Sequence, residues 1–167
     1  MTNFTPSATV VADARLGNPT AQAFWRSFFL GTGQLTVVPG PECSFRLGET
    51  DLPALPEGKE YALRVDEKGA AIVGKDYGGL MRGFMSLLMK IEHSENAFRI
   101  QSVEECSDYS IQNRFLHICV FPENDLYFIK KLIRLAVVKS VGAEQISGIC
   151  RAGEFQQVRF QMFGSSQ

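Results

Sequence analysis

Residues 60–92 read EYALRVDEKGAAIVGKDYGGLMRGFMSLLMKIE, and the spacing of the apolar residues changes midway. Up to Gly74 the period is two: Tyr61, Leu63 and Val65 share one face of a strand, while Ala62, Arg64 and Asp66 take the other. GAAIVG forms a second β-type run, joined to the first through Glu67-Lys68-Gly69 as a hairpin with one covered and one wetter face. From Tyr77 the spacing becomes three and four. Tyr77, Leu80, Met81, Phe84, Leu87, Leu88 and Ile91 then fall on one stripe of a helix lying on the sheet. Asp76 is placed to cap that helix or to sit in its first turn, where a carboxylate suits the helix dipole.

The helix opens with three glycines, although each costs about 1 kcal/mol relative to alanine in a helix interior. A phosphate cradle between strand and helix is one explanation, but Gly78, Gly79 and Gly83 give G-G-x-x-x-G. A dinucleotide loop needs G-x-G-x-x-G and a P-loop G-x-x-x-x-G-K-[ST], and Asp76 at the mouth would repel phosphate. Close packing fits better. Gly79 and Gly83 are four apart, so they stack on one face and let another backbone approach.

Working outward, Ala8 to Ala12 is a β-type run, and Asn18-Pro19 opens a helix whose Ala21, Phe24, Trp25, Phe28 and Phe29 make an aromatic face ending near Gly31. These aromatics read first as core, with a sugar-stacking platform as the alternative. LTVVPG and CSFRLGE are short strands, and DLPALPEG is a proline-punctuated loop. FRIQSV and RFLHICVF are further strands separated by the polar EECSDYSIQN. ENDLYFIKKLIRLAVVKS is helical, with Leu126, Ile129, Ile133 and Val137 on one face. Beyond Ser140 the pattern decays.

Composition limits the function classes. A 167-residue chain with 45% hydrophobic and 21% charged residues has the balance of a globular domain with a real core. The net charge of −1, with scattered Lys and Arg, gives no broad attraction to nucleic acid or an anionic membrane. Cys43, Cys106, Cys119 and Cys150 form no C-x-x-C pair, and His93 and His117 stand apart from them, so no cofactor and no metal site is expected. The start lacks a signal-peptide pattern and no run reaches membrane-spanning length, which reads as cytoplasmic for the chain as given, with a parent possibly exported.

The segment from Glu60 to Ile91 resembles the small N-terminal domain that precedes the catalytic barrel in β-N-acetylhexosaminidase-type (family 20-like) glycoside hydrolases. The matching residues are Tyr61, Leu63, Val65, Gly69, Ile72, Gly74, Gly79, Gly83, Leu87 and Leu88. SDYSIQNRFLHICV resembles the entry into the first barrel strand. There Arg114 and His117 fit the family pattern, while Phe115 replaces a glycine and Val120 an acid. The resemblance implies an α+β accessory domain over residues 1–107, with a mixed or antiparallel sheet of about four to five strands and two helices packed on one face. That topology is zincin-like without the metal site. It also implies a first strand-helix unit of a barrel over 108–140, followed by an irregular tail over 141–167.

An ordinary barrel needs about 250 residues, and no glycine-rich stretch ending in Asp-Glu occurs here, so no catalytic residue is assigned. Glu104-Glu105 are adjacent, which on a strand points them to opposite faces; Glu123 and Asp125 sit at a helix start, where acids cap. The resemblance makes the chain a non-catalytic part of a carbohydrate-degrading enzyme, with the parent's barrel as partner. The alternative is a carbohydrate-binding module using exposed aromatics, with Trp25 and Tyr109 as candidate contacts. A homodimer through an exposed barrel fragment is a further expectation.

Overall fold

The computed structural model describes residues 1–94, 97–107, 115–120, 125–138, 143–149 and 155–161. The chain divides into two compact units, Met1–Asp108 and Tyr109–Gln167. Each is α+β.

In the first unit, β1 (Thr2–Phe4) leads into β2 (Ser7–Ala12), a 3-10 turn (Ala14–Gly17) and α1 (Pro19–Phe28). Next come β3 (Gln34–Pro39), β4 (Ser44–Gly48), β5 (Tyr61–Asp66), β6 (Gly69–Gly74) and α2 (Tyr77–Met89), then β7 (Glu92–Ser94), β8 (Ala97–Ile100) and β9 (Val103–Ser107). Six strands form one sheet in the order β3-β2-β4-β6-β5-β9, and β1-β8-β7 form a small second sheet. The main sheet is mixed: β2 and β3 are parallel, as a strand-helix-strand crossover requires, and its other pairs are antiparallel.

The sheet is thus larger than the four to five strands expected. FRIQSV divides at Gln101-Ser102 into β8 and β9, and the polar EECS forms most of β9. An edge strand whose residues are half-buried or exposed carries no apolar run for a sequence pattern to register.

Strand register explains the core. Ala12, Phe45, Ile72, Leu63 and Glu105 are successive partners across β2, β4, β6, β5 and β9. The first four are fully buried beneath the helices. The neighbouring row, Val11, Arg46, Ala71, Arg64 and Glu104, lies on the opposite face. Both helices pack on the first face. The Phe84 ring stacks on Trp25 with centroids 6.3 Å apart and lies 5.6 Å from that of Phe45. α1 is capped by Asn18, whose Oδ1 accepts from the Ala21 amide, and Pro19 stands in its first turn.

β4 and β5 both run antiparallel to β6 between them, so residues 49–60 must carry the chain back along the sheet's length. Early in this return Thr50 donates to Oδ1 of Asp66 at 2.7 Å, and Asp66 alternates with Val65 onto the face away from α2. On that face Ala62 and Ala71 are 1% and 0% exposed.

The edge at β3 is protected. Gln22 of α1 donates from Nε2 to the Leu35 carbonyl at 2.5 Å and accepts from the Leu35 amide at 3.3 Å. Pro39 has no amide to offer, so little of this edge can pair with another strand.

In the second unit, β10 (Phe115–Val120) and β11 (Ala143–Ile149) are parallel, with α3 (Leu126–Val138) connecting them, and β12 (Phe155–Gln161) is antiparallel to β11. Strands thus occupy much of the stretch expected to be irregular. Its mixed residue types, such as AEQISGI and FQQVRFQ, carry only a weak alternation. Among the described residues no helix is long and apolar enough to cross a membrane.

Candidate functional site

The glycine-bearing helix meets the sheet as its spacing suggests. A Cβ on Gly79 would stand 2.1 Å from the Glu60 carbonyl oxygen, and one on Gly83 2.6 Å from Cγ2 of Ile72. Asp76 caps the helix by accepting from the Gly79 amide at 2.7 Å. The glycines therefore serve a helix-sheet contact, and the carboxylate takes the Gly79 amide that a phosphate cradle would need.

Two polar clusters flank this contact. The first lies where β2 ends and both helices begin. Asp13, 3% exposed, takes Nε and Nη2 of Arg15 at 2.9 and 2.6 Å and the backbone amides of Arg15 and Cys43 at 3.0 and 2.8 Å. The Arg15 hydrogen bonds outweigh burial and hold this carboxyl well below the usual carboxylate range. The guanidinium also lies 4.7 Å from the centre of the Tyr77 ring, and the Tyr77 hydroxyl accepts from Nδ2 of Asn18 at 2.7 Å. The cluster binds β2, β4, α1 and α2 into one corner.

The second cluster surrounds Glu105. Its Oε1 accepts from the Tyr61 hydroxyl at 2.6 Å and the Ser86 hydroxyl at 2.8 Å, and its Oε2 lies 2.7 Å from Nζ of Lys90. Burial works against its charge, but Lys90, Tyr61 and Ser86 outweigh it and lower the pKa. The Tyr61 hydroxyl is pushed up to about 12, first by burial and then by the adjacent carboxylate. A carboxylate already ionised beside a phenol that resists ionisation is a poor acid-base pair near neutral pH. Both clusters spend their donors and acceptors on the fold.

Glu104 and Glu105 do point to opposite faces: Glu104 meets Nη2 of Arg64 at 2.8 Å on the side away from the helices. Asp125 accepts from the Tyr127 amide at 3.0 Å at the start of α3, as a capping residue would. Glu123, Tyr109, Arg114 and Cys150 lie outside the described residues. Cys43 is half-buried and Cys106 exposed, both as free thiols. His93 pairs through Nε2 with the Phe28 carbonyl at 2.9 Å. Among the described residues no three His, Cys, Asp or Glu side chains are grouped to hold a metal.

Trp25 is not a surface aromatic. It is 1% exposed, and its indole N–H donates to the Pro6 carbonyl at 2.7 Å, so ring and donor are both committed to the core. This corrects its reading as a sugar contact. Phe29 and Phe84 flank it with ring centroids 4.6 and 6.3 Å away, as expected of an aromatic stripe on the buried face of a helix.

Sequence reading did not reach Asp13, Arg15 or the convergence on Glu105. The available signals were local. Ser86 and Lys90 are one helical turn apart, and Val103, Glu105 and Ser107 alternate on one strand face. No protein-family description, curated protein or solved structure matches the chain.

Proposed function

We propose that the chain is part of a carbohydrate-degrading glycoside hydrolase of the β-N-acetylhexosaminidase type. Residues 1–107 are the non-catalytic accessory domain, and residues 108–140 are the beginning of the catalytic barrel. The observation that carries this reading is the β5-turn-β6-α2 segment, in which Gly79 and Gly83 bring the helix onto the sheet at distances no side chain would permit. The resemblance rests on those residues. Two helices on one face of a mixed sheet accord with it, and so does the parallel β10-α3-β11 crossover, the unit from which β/α barrels are built.

The antiparallel β12 departs from that pattern, since such a barrel is all-parallel. In the proposed parent, the accessory domain packs beside the barrel and stabilises it. The remaining barrel elements cover α3, whose Leu126, Phe128 and Leu135 are 62%, 52% and 53% exposed. The parent's barrel is the partner this reading requires.

The chain by itself is expected to give no turnover of a chromogenic N-acetyl-β-glucosaminide, because barrel active sites are assembled from loops of several different strands. Metal-independent hydrolysis abolished by Glu104→Gln or Glu105→Gln would overturn the non-catalytic assignment.

A further inference from the structure

We infer that β9 is a detachable edge strand, latched onto α2 by Glu105, which opens locally when this carboxylate loses its charge. β9 pairs with β5 along one side, and among the described residues no strand pairs with its other side. None of its five residues is buried, whereas Tyr61, Ala62, Leu63 and Val65 of β5 are all 4% exposed or less. Apolar burial therefore holds β5 and contributes little to β9.

What remains is the backbone ladder and one carboxylate. Glu105 ends the apolar row Ala12-Phe45-Ile72-Leu63 at the sheet edge, and three elements meet on it: Tyr61 from β5, Ser86 of α2 with Lys90 at its C-cap, and β9 itself. The adjacent charges do not substitute for it. Arg82 on α2 pairs with Glu60, which precedes β5. The Arg64–Glu104 pair lies on the opposite face, where Glu104 is 67% exposed, and such a pair adds little. Ser107, the last residue of β9, also bears on the Tyr61 hydroxyl.

The direction with pH follows from the geometry. Glu105 is held ionised in the folded state, so its contribution is full above the unfolded carboxylate pKa and is lost as pH falls through the lower, folded value. Protonation removes the Lys90 pair and one acceptor, and β9 comes away from α2 before β5 and β6 yield. The released element is the strand from which the chain leaves the first unit.

Hydrogen exchange of the full chain, read peptide by peptide and corrected for intrinsic rates, tests this. At neutral pH, Glu105→Gln should reduce protection of residues 103–107 by roughly tenfold or more, as expected for losing hydrogen bonds to a charged group, while 61–66 and 69–74 stay protected. Wild type should show the same selective loss on acidification, which needs no variant to fold. If 103–107 is as protected as 61–66 under both conditions, or loses protection only together with it, the latch is refuted.

Discussion

Gly79→Ala should destabilise the first unit by on the order of 3 kcal/mol, despite the helix-propensity gain of about 1 kcal/mol that alanine brings. The added methyl group would stand 2.1 Å from the Glu60 carbonyl oxygen. That oxygen is fixed, because it accepts from the Lys75 amide at 2.9 Å at the entry to α2. Either the helix lifts from β5 and β6 or this hydrogen bond breaks. Gly78→Ala is the internal control: its methyl group would meet only side chains, Oδ1 of Asp76 at 3.2 Å and Nη1 of Arg82 at 3.4 Å. Urea denaturation of both variants should therefore show a large loss for Gly79→Ala and little change or a gain for Gly78→Ala. Equal midpoints would mean that the close contact does not govern the glycine.

Phe84→Ala should cost about 3–5 kcal/mol, the range for deleting a large buried aromatic side chain. Phe84 is fully buried between Trp25 of α1 and Phe45 of β4, so its loss opens a cavity where both helices meet the sheet. Collapse is opposed from both sides. Trp25 is held by its bond to Pro6, and Phe45 by the strand ladder. The fluorescence of the single tryptophan reports this directly. Emission should be that of a buried indole in the native protein, and the unfolding midpoint should fall sharply in Phe84→Ala and less in Phe84→Leu. An unchanged midpoint would contradict the placement of Phe84 at the centre of the core.

Sequence made the elements legible where one physical rule acted alone. The two-residue period of Tyr61, Leu63 and Val65, the three-and-four spacing from Leu80 to Leu88, and the Asn18 and Asp76 caps each express a local requirement. The glycine contact was legible as well, because two glycines four apart on a buried stripe need a reason that only close approach supplies. Hidden were the features set by distant partners. Phe45 opposite Ile72, and Glu105 beyond Leu63, depend on a strand order in which β6 inserts between β4 and β5 and β9 lies beyond β5. Asp13 has the composition of a turn residue, and only the fold brings the Cys43 amide to it across thirty positions of sequence. β1 and β7 are three residues long, too short for any period to register.

The proposed function requires that the glycine-bearing α+β unit be followed by a hexosaminidase-type barrel. Sequencing genomic DNA beyond the codon for Gln167 and reading all frames tests that requirement most directly. The predicted result is barrel coding sequence containing a glycine-rich strand that ends in an Asp-Glu pair. Downstream sequence encoding no such barrel in any frame would contradict it.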